Sequence, residues 1–374
     1  MKQVDVLVRG AGIVGQSLAL SLARLGLQVA LRPDAPRPVA PDVRAYALNA
    51  GSVALLRTLK VWDALPANAA TPVYDMHVQG DARARPGVID FSAWEQRVGE
   101  LAWIVDAPVL ERELAAAIRF APHITLLPPG DEAPVRAALT ALCEGKDSAA
   151  REALGVRFER HAYAHSAIAA RLVASDPHLG LARQWFRSPD VLALLPFDAP
   201  EPERSYALVW SLPRERAEEL LALDVAGFGA ALAQATRGEA GGLQLASERT
   251  IWPLALAQAS TWSGPGWVLL GDAAHVVHPL AGQGLNLGLA DVAALTRVIA
   301  AREAWRPLGD ERLLRRYVRE RLAPTWAMSR MTDALMQLFA QPAPAVRELR
   351  NRGLTLVNRL TPVKRWLTAK ALDA

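Results

Sequence analysis

The amino-terminal glycine turn constrains the fold of this chain more than any other sequence feature. An apolar strand, Val4 to Val8, runs directly into Gly10-Ala11-Gly12-Ile13-Val14-Gly15, and an apolar helix then continues to Gly26. A second apolar strand follows at Val29 to Leu31. Glycines at these spacings permit a tight turn, approach of the backbone to a pyrophosphate, and close packing of helix on strand. The segment therefore predicts the first βαβ unit of a Rossmann-like dinucleotide-binding domain.

The end of the second strand departs from this fingerprint. An acidic residue usually binds the ribose hydroxyls there, but the sequence reads Leu31-Arg32-Pro33-Asp34. The expected position, near Pro33, has no acid, and Asp34 comes one residue later. Arg9 is also unusual for the end of a buried strand. Two interpretations stay open: Asp34 reaches the ribose, or this contact is lost.

A second glycine-rich stretch runs from Trp267 to Gly288. The apolar run Trp267 to Leu270 predicts a buried strand, and Gly271-Asp272 places a carboxylate at its end, where ligands bind in open α/β sheets. Gly282-Gln283-Gly284 then precedes a segment whose apolar residues recur with a helical period. The first amides of a helix are unpaired and its dipole is positive there. Asp272 would suit the hydroxylated chain of a flavin, and the helix start would suit its electron-rich ring edge.

Composition limits the class of protein. A chain of 374 residues allows two or three domains, and 51% hydrophobic with 21% charged residues is typical of a globular protein. Cys143 is the one cysteine, which excludes an internal disulfide and a cysteine-based metal cluster. We find neither a secretory signal nor a run of about 20 apolar residues. The expected location is the cytoplasm.

The carboxyl-terminal region is basic. From Ala301 onwards there are fifteen Lys plus Arg and seven Asp plus Glu, whereas the whole chain has a net charge of +4. With no nucleic-acid motif present, a membrane surface is the better partner for this charge than a nucleic acid. Leu354, Val357, Leu360, Trp366 and Leu367 form an apolar stripe among arginines and lysines. Three interpretations stay open: a helix in the membrane interface, a helix docked on the core, or a solvated basic helix.

Short alternating runs between His161 and Trp210 predict a mainly antiparallel sheet that interrupts the first domain. The predicted fold is α/β, with a Rossmann-like domain at 1–73, 100–158 and 263–330. The antiparallel sheet domain takes 74–99 and 159–262, and a helical tail takes 331–374. Helices are predicted over Glu215 to Ala235, Leu313 to Arg330, Met331 to Phe339 and Val346 to Leu360.

Three motifs in order resemble those of the flavoprotein aromatic hydroxylases of the para-hydroxybenzoate hydroxylase fold. They are GAGIVG, EGKDSAAR and GDAAHVVHPLAGQGLNLG. RAYALNAGSVALLRTLKVW and LAWIVDAPVLERELAAAI are similar to the ubiquinone-biosynthesis hydroxylases of that group. The resemblance implies FAD, NAD(P)H and molecular oxygen, with a C4a-hydroperoxyflavin that hydroxylates an electron-rich ring. The implied substrate is a polyprenylated phenol of ubiquinone biosynthesis.

The resemblance also implies a set of site residues. Gly10, Gly12, Gly15 and Arg44 would bind the FAD pyrophosphate, and Asp272 its ribityl hydroxyls. Asp34, although displaced, is the candidate for the ribose. Val105 would lie along the flavin, Pro279 would lie near the reactive face, and the pyrimidine edge would be contacted by Gly282, Gln283, Gly284 and Asn286. His278, with His275, brackets the flavin loop as a candidate general base, although a structural role is the more common one for such a histidine. Metal-ligand spacing is not found.

Two features of the chain keep other functions open. The family's Asp-Gly step is Glu144-Gly145 here, and the ribose acid is displaced. Both favour, as an alternative, a non-catalytic assembly subunit of a quinone-biosynthesis complex. A flavin hydroxylase of a small soluble aromatic is a third hypothesis, which the basic tail disfavours. Trp252, Leu254 and Leu195 are candidates for the substrate wall, and core packing explains them equally well.

Overall fold

The computed structural model describes residues 3–35, 42–82, 86–130, 133–277, 283–341, 343–360 and 364. The α-helices of these segments are α1 (Ile13–Ala23), α2 (Ala50–Thr58), α3 (Ala93–Gln96), α4 (Ala107–Arg119), α5 (Ala149–Ala153), α6 (Arg214–Ala222), α7 (Val225–Thr236), α8 (Gln283–Ala300), α9 (Glu311–Ala340) and α10 (Pro344–Arg359). The strands are β1 (Gln3–Arg9), β2 (Val29–Arg32), β3 (Ala45–Leu48), β4 (Ala70–Val73), β5 (Asp75–Gln79), β6 (Val88–Ser92), β7 (Ala102–Asp106), β8 (Ile124–Leu126), β9 (Arg136–Leu142), β10 (Phe158–Ala174), β11 (Leu181–Arg187), β12 (Asp190–Phe197), β13 (Ser205–Pro213), β14 (Leu243–Leu245), β15 (Thr250–Ala259), β16 (Ser263–Gly264), β17 (Trp267–Leu269) and β18 (His275–Val276).

The first sheet is organised around β1. Its order is β16-β17-β9-β1-β2-β8, with parallel pairing from β17 to β8 and antiparallel pairing between β16 and β17. Val6 and Val8 of β1 are fully buried, as expected for a central parallel strand covered on both faces. α1 packs between α4 and α8. Strands that are far apart in sequence therefore end side by side at one edge of this sheet.

The second sheet is mainly antiparallel. Its order is β18-β15-β10-β13-β12-β11-β5-β6, with β14 paired to β10 and one parallel pair, β11 with β5. One face is covered by α6 and α7, because Leu208 and Trp210 of β13 pack with Leu220 and Phe228 of those helices. The two sheets and the carboxyl-terminal helices confirm the predicted fold class. The residue limits of the domains remain a prediction.

The other face of the second sheet carries a row of four neighbouring residues. Ala169, Val209, Ala193 and Gln184 stand side by side on β10, β13, β12 and β11. The last three are half-buried. Toward one side of this row the face packs on β4 and β7, and toward the other the ring of Phe186 stacks on that of Phe339 with centroids 3.8 Å apart. The row between these contacts consists mostly of small apolar side chains.

Two helix predictions were wrong. The segment predicted as one helix from Glu215 to Ala235 is split into α6 and α7. Asp224 separates them, because its carboxylate accepts a hydrogen bond of 2.7 Å from the Gly227 amide and so caps the second helix. In contrast, the two helices predicted on either side of Arg330 form the single helix α9, which contains Pro324. The exposed position of Pro324 places its ring in solvent.

The carboxyl-terminal helix α10 was predicted from Val346 to Leu360, and the structure confirms it as Pro344–Arg359. Proline at its start is tolerated because the missing N–H has no intrahelical acceptor there. Trp366 and Leu367 of the predicted stripe lie outside the described residues. Within the described segments, no helix has both the length and the apolar character needed to cross a membrane.

Candidate functional site

The three glycines of the first turn have three different roles. Gly10 has φ +94°, and a Cβ there would lie 2.4 Å from the carbonyl oxygen of Cys143. A Cβ on Gly15 would lie 1.9 Å from the carbonyl oxygen of Gly10, so this glycine permits α1 to pack on β1. A Cβ on Gly12 would meet no atom within 4 Å. Gly12 therefore faces open space, as a residue that leaves room for a ligand would.

The amino terminus of α1 is open to the same space. Gly12 is its N-cap, no side chain caps the helix, and its first turn has no acidic residue. Unpaired amides and the positive end of the helix dipole are thus available to an anion. These features, together with Gly12, fit the pyrophosphate of FAD.

Arg9, which is unusual for the end of a buried strand, and Glu144, which departs from the family's Asp-Gly step, form an ion pair. The Arg9 Nε lies 2.7 Å from the Glu144 Oε1. The other carboxylate oxygen of Glu144 accepts hydrogen bonds from the Ser148 hydroxyl and, at 3.3 Å, from the Ala150 amide. The glutamate is thus built into the turn after β9 and caps the start of α5.

Arg151 joins the turn after β9 to the loop after β17, a role that the sequence analysis did not assign. Its guanidinium is fully buried and donates to the carbonyls of Ala273, at 3.0 Å, and Lys146, at 2.9 Å. It also lies 3.6 Å from the ring centroid of Phe158. Burial lowers the pKa of Arg151. The signal was its place as the last residue of EGKDSAAR, which we interpreted only as a motif.

Asp272 lies where the sequence predicted, after β17, and its side chain is exposed. Desolvation by the surrounding protein nevertheless raises the pKa of its carboxyl, against the opposing charges of His275, Lys146 and Arg44. Because the Asp272 carboxylate is exposed to water and yet surrounded by protein, it lines a recess. Asp272 and the open turn at Gly12 therefore share one edge of the first sheet, and they fit the two ends of a ribityl pyrophosphate.

Arg44 faces this region but is engaged by acids. Its Nη2 lies 2.6 Å from Asp42 and 3.3 Å from Glu111. The hydrogen bond with Asp42 raises the pKa of Arg44 further above its usual value. Its carbonyl oxygen accepts a bond of 2.9 Å from the buried Arg171 of β10. Contact of Arg44 with a pyrophosphate stays a prediction.

Asp34 is exposed after β2. The preceding Arg32 is buried and donates to the carbonyl of Ala133 at 2.5 Å. Asp34 lies at the same edge of the first sheet as Gly10, and its contact with the ribose stays a prediction.

Two residues expected to contact the flavin, Asn286 and Val105, are engaged by the protein itself, and their contact with a flavin stays a prediction. Asn286 is 1% exposed, and its Oδ1 accepts from the Asn49 amide and the Ser52 hydroxyl while its Nδ2 donates to the Ala47 carbonyl. Its amide is thus used by the protein and fastens α8 to α2 and β3. Val105 is fully buried in the core, so its side chain does not line an open channel.

His275 belongs to a buried charged network. Its Nε2 lies 2.7 Å from Asp291, which also accepts from the Gly271 amide at 3.0 Å and from Arg321 at 2.8 Å. Although burial acts to raise it, His275 and Arg321 hold the pKa of Asp291 below its usual value. This network ties the loop after β17 to α8 and α9, and it favours the structural role for His275. Sequence reasoning missed Asp291, which lies among the apolar residues of α8.

Some of the remaining predicted site residues are described by the structure, and others lie outside the described segments. Gln283 and Gly284 begin α8, as predicted, and Gln283 accepts a hydrogen bond from Asn286 at 3.3 Å. His278, Pro279 and Gly282 lie outside the described residues. Of the wall candidates, Trp252 and Leu195 are half-buried, and Leu254 is buried. In the described part of the chain, no three His, Cys, Asp or Glu side chains are grouped to hold a metal ion.

Comparisons with known proteins agree with this geometry. The family described as "FAD binding domain" matches residues 3–116 and 118–332. The chain is 31% identical to the 3-demethoxyubiquinol 3-hydroxylase of Escherichia coli over 98% of both chains. It is 30% identical to the ubiquinone hydroxylase UbiL of Rhodospirillum rubrum, over 99% of this chain and 90% of that protein. The crystal structure of p-nitrophenol 4-monooxygenase PnpA from Pseudomonas putida shares the fold, with a TM-score of 0.79 at 17% identity over 100% of this chain and 99% of that chain.

Proposed function

This chain belongs to the FAD-binding family of flavin-dependent hydroxylases, and we propose that it hydroxylates the aromatic ring of a polyprenylated phenol in ubiquinone biosynthesis. The observation that carries the proposal is the edge of the first sheet. There, an open glycine turn, an uncapped helix and an exposed Asp272 lie together. Relatives matched over almost their full length are ubiquinone hydroxylases, which supports the substrate class.

The proposed cofactor contacts follow from this edge. The amides at the start of α1, next to Gly12, would bind the pyrophosphate, with Arg44 beside them. Asp272 would accept hydrogen bonds from the ribityl hydroxyls. Gln283 and Gly284, with Gly282, would present backbone amides to the pyrimidine edge of the ring. Asn286 would hold that helix start in place through its bonds to Asn49 and Ser52.

The bound flavin, reduced by NAD(P)H, supplies oxygen activation and transfer of one oxygen atom to the ring, while the other leaves as water. The chain binds, orients and excludes solvent. The row of Val209, Ala193 and Gln184 on the second sheet would offer a mostly apolar surface for the substrate ring and its chain. Pro279 near the reactive face and His278 as a candidate general base remain proposals from the sequence.

A polyprenylated substrate resides in the lipid bilayer, so the proposal includes a peripheral contact with the inner membrane through the basic carboxyl-terminal helices. Participation in a quinone-biosynthesis complex is a further proposal of the same kind. NAD(P)H as reductant follows from the family resemblance.

The first test is the colour of the purified protein and its reconstitution with FAD. A yellow protein whose NADPH oxidation is stimulated by a prenylphenol, and not by a soluble benzoate, would support the proposal. Stimulation by the benzoate alone would select the hydroxylase of a small aromatic. A colourless protein that FAD does not reconstitute would select the assembly subunit. The Arg9–Glu144 pair weakens one motive for that alternative, because Glu144 has a defined structural place.

A further inference from the structure

The outward face of α10 carries a row of exposed leucines. Leu349 is 69% exposed, Leu356 57% and Leu360 42%. Steps of seven and four residues place these side chains on one side of a helix. A row of three exposed leucines is more apolar surface than a helix needs on its solvent side.

The opposite face of α10 fixes the direction of this row. Leu354 and Val357 pack into the cluster of Val78, Phe186 and Phe339. The Asn351 side chain accepts a hydrogen bond of 2.8 Å from the Gly87 amide, and a Cβ on Gly87 would lie 2.2 Å from the Asn351 carbonyl oxygen. Backbone packing this close holds the helix in one orientation. Leu354 and Val357 of the predicted stripe are therefore on the docking side, whereas Leu360 of the same stripe faces outward with Leu349 and Leu356.

The arginines of α10 divide in the same way. Arg350 is buried, pairs with Asp81, and donates to the carbonyls of Leu338 and Phe339 at the end of α9. Arg352 and Arg359 are exposed beside the leucine row. The exposed Glu348 pairs with Arg352 at 2.7 Å, an i,i+4 surface pair of small energy. The inward arginine is structural, and the outward ones are exposed where a charged surface could meet them.

An exposed tryptophan lies near the end of the row. Lys364 pairs with Glu95 at 2.7 Å, and the Asp90 amide donates to the Asn358 side chain at 3.1 Å. These bonds bring α3 beside the last turn of α10. Trp94, the neighbour of Glu95 in the chain, is 90% exposed. Tryptophan is enriched at membrane–water interfaces because its ring is apolar and its N–H is polar.

We propose that the outward face of α10, with Trp94 at its end, seats on an anionic phospholipid surface. The leucines would enter the interface while Arg352 and Arg359 meet lipid phosphates. The exposed Arg352 and Arg359 beside the leucines favour an anionic surface over a neutral one. This inference deepens the proposed function, since it names the face through which the enzyme reaches a bilayer-held substrate.

The test uses the full-length, FAD-reconstituted chain and flotation with vesicles of phosphatidylglycerol and phosphatidylethanolamine. Leu349→Glu, Leu356→Glu and Leu360→Glu together should weaken vesicle binding more than about tenfold, because apolar burial is lost and like charge is added. The matched control replaces three exposed leucines elsewhere, Leu126, Leu154 and Leu179, by Glu. That control carries the same charge change and should keep most of the binding.

A second variant separates charge from apolar contact. Arg352→Gln with Arg359→Gln should lower binding to the anionic vesicles about tenfold, and wild-type protein should bind phosphatidylcholine vesicles weakly. Thermal unfolding and flavin content should match wild type in each variant.

Three outcomes would overturn the inference: no vesicle binding by wild type, equal loss in the control triple, or unchanged binding in the outward triple. Loss of a co-purifying protein in the outward triple, without vesicle binding by wild type, would assign the face to a protein partner instead. Turnover of a detergent-dispersed prenylphenol, measured in parallel, reports on the proposed function alone. Failure of the membrane contact is thus distinguishable from failure of the hydroxylase assignment.

Discussion

Arg9 at the end of β1 and Glu144 after β9 form an ion pair of 2.7 Å at the carboxyl edge of the first sheet. Arg9 is unusual for the end of a buried strand, and Glu144 replaces the aspartate of the family's Asp-Gly step. Their side chains are 21% and 8% exposed, so each charge depends on the other in a partly desolvated place. The ion pair links the two unusual residues, and it positions the Glu144-Gly145 turn next to the proposed pyrophosphate site.

Replacing Arg9 alone should destabilise the fold. Arg9→Met leaves a largely buried carboxylate without its cation, which costs roughly 2–4 kcal/mol of unfolding free energy. Adding Glu144→Gln to Arg9→Met should recover much of that loss. Urea unfolding of the two single variants, the double variant and wild type would give a coupling energy of about 1–3 kcal/mol. A coupling near zero would show that the two groups do not depend on each other.

Asp272 should contribute to FAD affinity more than to folding. Asp272→Ala removes charge-assisted hydrogen bonds to the ribityl hydroxyls, so the Kd for FAD should rise about tenfold to a hundredfold. Unfolding of the apoprotein should change little, because desolvation already disfavours the charged carboxylate. Titration of the apoprotein by flavin fluorescence measures the Kd.

Asp34→Ala is the matched comparison for Asp272→Ala. It tests, at the same edge of the sheet, whether the displaced acid reaches the ribose. An increase in the Kd for FAD comparable with that of Asp272→Ala would show that it does. An unchanged Kd in every Asp272 variant would contradict the proposed ribityl contact.

The sequence predicted what depends on local pattern. The βαβ unit, the strand before Asp272 and the start of α8 at Gln283 all follow from apolar periodicity and glycine spacing. The roles of Gly10 and Gly15 follow from the same spacing, since both meet backbone at distances that a side chain does not tolerate.

What the sequence did not predict depends on contacts between distant segments. Arg151 and Ala273 are 122 positions apart, and no local pattern shows that one guanidinium joins them. The bonds of the Asn286 amide to the start of α2 join segments 237 and 234 positions apart, so the sequence did not show them. The break at Asp224 was missed because the apolar residues keep a helical spacing on both sides of it, and one capping residue is a weak signal beside that pattern.

Asp190 should make stability depend on pH. Burial raises the pKa of its carboxyl to about 6, against the opposing charge of Arg216, from an ordinary value of 3.8. The folded state therefore binds the proton more tightly than the unfolded chain does. Its contribution to stability is complete below about pH 4, falls as the pH rises from about 4 to about 6, and is then constant.

Asp190→Asn should remove this dependence of stability on pH. The difference in unfolding free energy between variant and wild type should shift in favour of the variant by about 2–3 kcal/mol as the pH rises from about 4 to about 7, since one pKa unit is worth 1.36 kcal/mol. Urea unfolding at both pH values measures the difference. Asp198→Asn, at a carboxylate that accepts from Thr71 and Glu203, is a control in which the same substitution removes hydrogen bonds. Equal stability differences at the two pH values would rule out the raised pKa of Asp190.

The His275–Asp291–Arg321 network separates a structural histidine from a catalytic one. Asp291→Ala leaves Arg321 buried without its carboxylate and frees the Gly271 amide, so it should cost roughly 3–5 kcal/mol of unfolding free energy and loosen FAD. His275→Gln keeps a donor toward Asp291 and should cost less, with kcat retained. The measurement is kcat as a function of pH in the FAD-saturated variant. Were His275 the general base, His275→Gln would lower kcat by about a hundredfold or more and remove its dependence on pH near neutrality. A structural role predicts a lower melting temperature with an unchanged pH profile.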